Sequence, residues 1–350
     1  MGLFSFLRGS VEAAVTIVRG PDPTEATDPA AASYAALARL SRMNNGEAVA
    51  VSLAGGGAWG FGHIGLLEHL VSQNVPTDFV AGVSSGSIVA ALHAWKTTDQ
   101  GTGATGLEEL RARHREALPV ALCCMASMRF LERWITAVTG GTLDLQTESE
   151  CLTFHTRVLT GAAESTSGEE LGVGVAAASS MPPLFAPKNL RGDPVIDGGF
   201  SYNLPPLSLM WAASGRMPFF VASNPIPKEV SGVAGTLGTS RLTRAGLLRR
   251  VRDVGYGVFH LLRTSSALAA EGAELTFEPD LRCWNPVNFD EMVAIADRGY
   301  MEAKARLSGP KDPSWSYATW VVANSSASAT YLYVPTNPPP AIAVTTPPCP

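Results

Sequence analysis

The chain lacks most of the features that mark secreted, membrane-spanning or nucleic-acid-binding proteins. Its five cysteines, Cys123, Cys124, Cys151, Cys283 and Cys349, are odd in number and scattered. They have neither the spacing of a disulfide framework nor that of a zinc site, which points to a reducing compartment. Charged residues make up only 16% of the 350 residues and the formal net charge is −5, so no overall basic field invites nucleic acid. No stretch reaches the ~18 consecutive apolar residues of a spanning helix. Residues 1–19 are broken by Arg8 and Glu12, with no cleavage site after an apolar run, so no secretion signal is read. Phe6 stands where N-myristoylation needs Ser or Thr, so Gly2 is expected to stay unacylated. The expected setting is cytoplasmic, with any membrane met only at its surface. Oligomeric state leaves no trace in the sequence.

What is present is a hydrophobic share of 46%, enough for a sizeable core. Residues 1–46 read as a helical extension and linker: an amphipathic helix over 1–19, a Pro/Asp/Thr-rich break, a second helix over 32–43, and the Asn44-Asn45-Gly46 turn. Residues 47–307 form the expected main domain. Residues 308–334 are an extension in which 314–334 could supply a hairpin, and the proline-rich 335–350 is expected to stay disordered.

The main domain opens with a short apolar run, residues 48–53, that stops at Gly55-Gly56-Gly57. A helix interior would not tolerate three glycines, so this reads as strand then loop. Phe61, Ile64, Leu67 and Val71 then recur at helical spacing. A second buried strand is expected over 79–82, followed by a helix from Ser84 through Ile88, Ala91, Leu92 and Trp95. Strand, helix, strand, helix implies parallel pairing with right-handed crossovers, hence an α/β fold. Further helices are expected within 104–140 and over 169–179, and strands over 152–159, into Asp197 and over 219–222. A last helix runs through Phe289, Met292, Ala296, Tyr300 and Leu307, with Asn288 and Glu291 placed as a capping pair.

Gly82-Val83-Ser84-Ser85-Gly86 fits GxSxG at a strand-to-helix junction, the context in which a sharp turn projects a serine hydroxyl. An ordinary helix N-cap at Ser84 or Ser85 would account for the same residues. Gly55-Gly56-Gly57-Ala58-Trp59-Gly60 adds successive backbone N–H groups at a helix start, an anion-holding pocket. For acyl transfer that anion is the oxyanion, and each aimed donor is worth on the order of 3 kcal/mol. The run also satisfies GxGxxG, but a dinucleotide fold needs an acid at the end of the second strand, and Asp78 precedes that strand. Serine needs a base. Asp197-Gly198-Gly199, at the end of a strand, is the best candidate, although an Asp-Gly turn is common in loops. The six histidines fit less well: His63 and His69 share the first helix, His93 the next, His114 a charged helix and His155 a strand. His260, in a helical stretch, is the only one that would complete a Ser-Asp-His order.

These three motifs, in this order, resemble the patatin-like phospholipases. Residues 177–185 resemble that family's segment before its aspartate, and Asn203-Leu204-Pro205 the one after it. The resemblance covers about residues 47–307 and implies a three-layer α/β/α fold with a mainly parallel sheet. It further implies Ser84 as nucleophile, Asp197 as proton acceptor without histidine, Gly55, Gly56 and Gly57 as oxyanion donors, and Gly60, Gly82, Gly86, Gly198 and Gly199 as motif glycines. The implied reaction is hydrolysis of a phospholipid or other acyl lipid through an acyl-enzyme, with no cofactor and no metal. Trp59 departs from the family, many members of which carry Arg or Lys there. A His-dependent esterase and a catalytically silent lipid-binding module are the competing readings. Residues 122–138 could line an acyl channel or be plain core. The segment 241–263, rich in arginine amid apolar residues, could dock on anionic lipid or be a solvated helix face.

Overall fold

The computed structural model describes residues 41–42, 48–97, 104–123, 128–166, 168–206, 219–228 and 244–307. The expected helices over 1–19 and 32–43, the turn at 44–46, the hairpin at 314–334 and the proline-rich tail lie outside these, apart from Ser41 and Arg42, which are helical.

An eight-stranded sheet forms the middle layer. Its strands are β1 (Val49–Leu53), β2 (Phe79–Gly82), β3 (Glu150–Arg157), β4 (Ala163–Ser165), β5 (Lys188–Leu190), β6 (Asp193–Asp197), β7 (Phe219–Ser223) and β8 (Leu275–Phe277). They lie in the order β5-β6-β3-β2-β1-β7-β8, with β4 also on β3. The central run from β3 to β8 is parallel, whereas β4, β5 and β6 pair antiparallel.

The helices are α1 (Gly62–Ser72), α2 (Ser85–Trp95), α3 (Gly106–Cys123), α4 (Arg129–Thr139), α5 (Leu171–Ala178), α6 (Arg244–Ala269) and α7 (Met292–Leu307). Every residue of β1, β2 and β7 is buried, the mark of a sheet covered on both faces. Val49, Val51, Leu53 and Val221 face one core with α1, α2, α5 and α7. Ala50, Ala81, Phe154, Phe220 and Ala222 face a second core. This is the three-layer α/β/α architecture implied above.

β3 explains how the antiparallel strands reach the centre. Its first four residues pair with β2, from Phe79↔Glu150 to Gly82↔Thr153. The remaining residues run past the end of β2, and there His155↔Asp197 pairs β3 with β6. Asp197 is therefore carried to the level of the turn that follows Gly82, the turn that holds Ser84.

One expectation is corrected here. Asn288 does not cap the last helix through its side chain; its Oδ1 accepts from the Asn285 amide at 2.8 Å, because the preceding turn needs that acceptor more locally. Cys151 is a buried free thiol whose ionisation burial suppresses. Met128, Leu131 and Ile135 belong to the core, which favours the plain-core reading for that part of 122–138. No helix among the described residues is long and apolar enough to cross a membrane.

Candidate active site

Ser84 sits between β2 and α2 with φ 51 and ψ −127. A non-glycine residue at positive φ costs on the order of 1–3 kcal/mol and persists only where its surroundings over-determine it. Here they do. The Ser84 amide donates to Ala178 O at 3.0 Å and its carbonyl accepts from the Ser87 amide at 2.9 Å. The same carbonyl accepts from Ser87 Oγ at 2.6 Å and Ser179 Oγ at 3.1 Å. The turn also needs its flanking glycines. A Cβ on Gly82 would lie 2.4 Å from Gly86 O, and one on Gly86 would lie 2.4 Å from Leu53 O.

Asp197 ends β6 with no solvent exposure. Its amide donates to Ser180 O at 3.0 Å, its carbonyl accepts from Thr156 Oγ1 at 3.0 Å and its Oδ1 accepts from the Gly199 amide at 2.8 Å. Oδ2 is buried and completes no hydrogen bond of full geometry, yet the Ser84 hydroxyl bears on the carboxylate as a hydrogen-bonding group. The two side chains thus face each other, with contact not fully closed. Burial pushes the Asp197 pKa up to about 7, against the pull of the Gly199 amide and the Ser84 hydroxyl. Ser84 itself is half-buried, so the hydroxyl is reachable while the carboxylate is hidden.

The glycine loop after β1 lies against this pair: a Cβ on Gly55 would approach Ser84 Cβ to 3.0 Å. Its amides are not equivalent, which corrects the expectation of three parallel donors. Gly55 N–H is consumed by Asn203 O at 3.0 Å, because the loop must be tied to the segment after Asp197. Gly56 N–H rests on Ser85 Oγ at 3.2 Å, a long bond to a hydroxyl that can turn away. Gly57, at φ +59, makes no amide hydrogen bond among the described residues, while the next amide, Ala58, donates to Pro286 O at 2.9 Å. Gly56 and Gly57 thus keep amides that no backbone carbonyl claims among the described residues. Gly60 is small for the same neighbour, since its Cβ would fall 2.1 Å from Ser85 Oγ.

Several further residues hold this arrangement through contacts that the sequence did not specify. Asn203 Nδ2 donates to Gly55 O at 3.1 Å and to Ser266 Oγ at 2.8 Å. His63 joins Ala54 O at 2.9 Å and Ser223 Oγ at 2.8 Å. A carbonyl can only accept, so Nε2 carries the proton and Nδ1 accepts from Ser223; burial lowers the His63 pKa to about 4 and keeps the ring neutral. Trp59 is buried. Its Nε1 donates to Trp284 O at 3.0 Å and its ring meets Phe259 edge-on at 5.4 Å, so this packing holds the loop.

No histidine hydrogen-bonds to Ser84 or Asp197 among the described residues. His260 is exposed on α6. His155 is level with Asp197 in the ladder but lines a cavity of about 120 Å³ with Arg157, Glu164 and Arg191, a cavity that neither Ser84 nor Asp197 lines.

Residues 51–210 match the family model for patatin-like phospholipase. Over that span the chain is similar to this family. Curated relatives agree. The chain is 30% identical over 186 residues to patatin-like phospholipase domain-containing protein 7 of Mus musculus, covering 48% of this chain and 13% of the relative. The human patatin-like phospholipase domain-containing protein 6 is 30% identical over 181 residues, with the same shares. Lysophospholipase NTE1 of Yarrowia lipolytica is 45% identical over 56 residues, 16% of this chain and 4% of the relative. The chain therefore spans only a small part of the length of these relatives.

Proposed function

We propose that this chain hydrolyses fatty-acyl esters of lipids, with Ser84 as nucleophile and Asp197 as its sole side-chain base, and that residues 47–307 are the unit that does so. One observation carries this reading: a strained serine hydroxyl facing a fully buried carboxylate whose pKa is raised to about 7. A base poised near neutrality can take a proton from an alcohol and return it to a leaving group. In the first half-reaction, Ser84 Oγ attacks the ester carbonyl as its proton passes to Asp197. The oxyanion is held by the Gly56 and Gly57 amides, and the proton then goes to the departing alcohol, leaving an acyl-enzyme. In the second, Asp197 takes a proton from water, hydroxide attacks the acyl-enzyme, and Ser84 is reprotonated as the fatty acid leaves. The names of these relatives favour phospholipid or lysophospholipid as the ester.

A fluorophosphonate probe is expected to label the wild-type chain and not Ser84→Ala, and Ser84→Ala should lose at least about 10³-fold in kcat on lipid ester. A wild type that resists labelling would leave the silent lipid-binding module as the better reading. Product analysis on defined phospholipids, lysophospholipids and triacylglycerols assigns the substrate class.

The pH dependence has a fixed sign. Asp197 accepts a proton only when ionised, and its pKa is raised to about 7, so kcat/KM should climb with pH and level off above neutrality. About a 100-fold difference is expected between pH 5 and pH 8. A flat profile over that range would show that Asp197 is not the base.

A further inference from the structure

Asn203 holds the glycine loop at two points. Its backbone carbonyl accepts from the Gly55 amide at 3.0 Å, and its Nδ2 donates to the Gly55 carbonyl at 3.1 Å. A carbonyl can only accept, so the amide nitrogen must be the end that faces Gly55. The first bond fixes the peptide plane joining Ala54 to Gly55, which His63 Nε2 also holds through Ala54 O at 2.9 Å. The second fixes the plane joining Gly55 to Gly56. A peptide unit is rigid and trans, so a bond that holds the Gly55 carbonyl also sets the direction of the Gly56 N–H on the opposite edge of the same plane. Glycine rotates more freely than any other residue, and the loop itself therefore restrains that plane little.

The arrangement leaves a buried group unsatisfied. Asn203 is 1% exposed. Both Nδ2 hydrogens are spent, the second on Ser266 Oγ at 2.8 Å, while Oδ1 is buried with no hydrogen-bond partner among the described residues. An unpaired buried amide oxygen is destabilising, and an apolar side chain of similar size would spare the fold that cost. A side chain kept for its donor points to a demand on the Gly55 carbonyl. Gly55 also lies over the serine, since its Cβ would approach Asn203 Oδ1 to 2.7 Å and Ser84 Cβ to 3.0 Å. Ser266 gives its own hydrogen to Leu262 O at 2.9 Å, so its oxygen is oriented to receive Asn203 and ties the amide to α6.

We propose that Asn203 is a positioning residue for acyl transfer: its side-chain amide locks the Gly55-to-Gly56 peptide plane so that the Gly56 N–H is aimed before the ester arrives, with Ser266 as the outer anchor of that amide. A donor held in place needs no reorganisation as charge develops on the carbonyl oxygen. In the resting site the Gly56 N–H is parked on Ser85 Oγ, and the oxyanion takes it over. This role rests on the hydrolase reading.

The test compares Asn203→Ala, Asn203→Asp, Ser266→Ala and the Asn203→Ala/Ser266→Ala double variant with the wild type, all in the full chain. Turnover of a monomeric short-chain ester, the rate of fluorophosphonate labelling and the melting temperature are measured for each. Asn203→Ala keeps the backbone bond to Gly55, and should lose at least about tenfold in kcat with KM within about twofold, labelling slowing in proportion. Asn203→Asp keeps the shape and sets an oxygen where the donor was, so it should lose at least as much. Ser266→Ala should lose less, about threefold, and the double variant no more than Asn203→Ala alone, because the anchor acts only through the amide. Wild-type kcat in Asn203→Asp overturns the proposal, as does a loss confined to KM or melting temperature, or a double variant whose losses multiply. Should the Asn203 variants fail to fold, Ser266→Ala decides: a lower kcat at unchanged KM supports the role, and an unchanged kcat overturns it. A wild type that neither labels nor turns over ester removes the hydrolase reading and this role with it, whereas an active wild type with unimpaired variants removes this role alone.

Discussion

Asp197→Asn is expected to make the protein more stable at pH 8 by on the order of 3 kcal/mol while turnover falls at least about 10³-fold. The stability effect follows from the direction of the pKa shift. Asp197 ionises near 7 in the fold, against an ordinary value of 3.8. The folded state therefore holds a proton that the unfolded state releases, and stability is lost as pH rises through about 7. A shift of roughly three pH units corresponds to about 4 kcal/mol. An amide never charges, so the variant escapes this penalty, less about 1 kcal/mol for an Nδ2 without an ideal partner. Near pH 4 the wild-type carboxyl is neutral, so the advantage should vanish and leave the variant less stable by up to that cost of about 1 kcal/mol. Urea unfolding of both proteins at pH 4 and pH 8 checks the sign, and lipid turnover checks the other half. A variant less stable than the wild type at pH 8 would mean that Asp197 is not ionised at a cost, which would remove the account of its basicity as well.

The second large effect lies away from the chemistry. Gly65→Val is expected to cost at least about 3 kcal/mol, or to prevent folding outright. α1 and α7 touch backbone to backbone. A Cβ on Gly65 would lie 2.0 Å from Tyr300 N and 2.3 Å from Ala296 O, and one on Gly299 would lie 2.2 Å from Gly62 O. Relief would require the helices to separate, and that would open a core shared by Ile64, Leu67, Ile295 and Ala296. Thermal melts of Gly65→Val beside Val293→Ala, an exposed position on α7, measure this directly. Equal melting temperatures would contradict the close approach.

The legible parts of this protein were those where a local pattern and the tertiary demand coincide. β1 ends at Leu53 just before the glycines, β2 ends at Gly82 just before Ser84, and Asp197 closes β6; each is visible because a strand ends at or beside a residue type that a turn needs. α1 was harder to read. Phe61, Ile64 and Leu67 were expected on a single face, yet Leu66, His69 and Leu70 are buried too, since α7 covers a side that an amphipathic pattern would leave to solvent. β4, β5 and β8 are three residues each, too short for alternation to register, and they form because β3, β6 and β7 present edges to them. In the site, the GxSxG and Asp-Gly-Gly motifs point to the side chains that face each other, but not to which amides remain free. That depends on Asn203 and Pro286, hundreds of atoms away along the chain, whose carbonyls take the amides of Gly55 and Ala58. Ser179 and Ser87, which clamp Ser84 from behind, look in sequence like ordinary small residues on a helix.

Ala178, Ser179 and Ser180 deserve to be considered as a unit. Ser84 hangs from the first two and Asp197 from the third. Ser84 and Asp197, 113 positions apart in the chain, are thus suspended from one tripeptide. A substitution that displaces this tripeptide therefore disturbs both side chains at once.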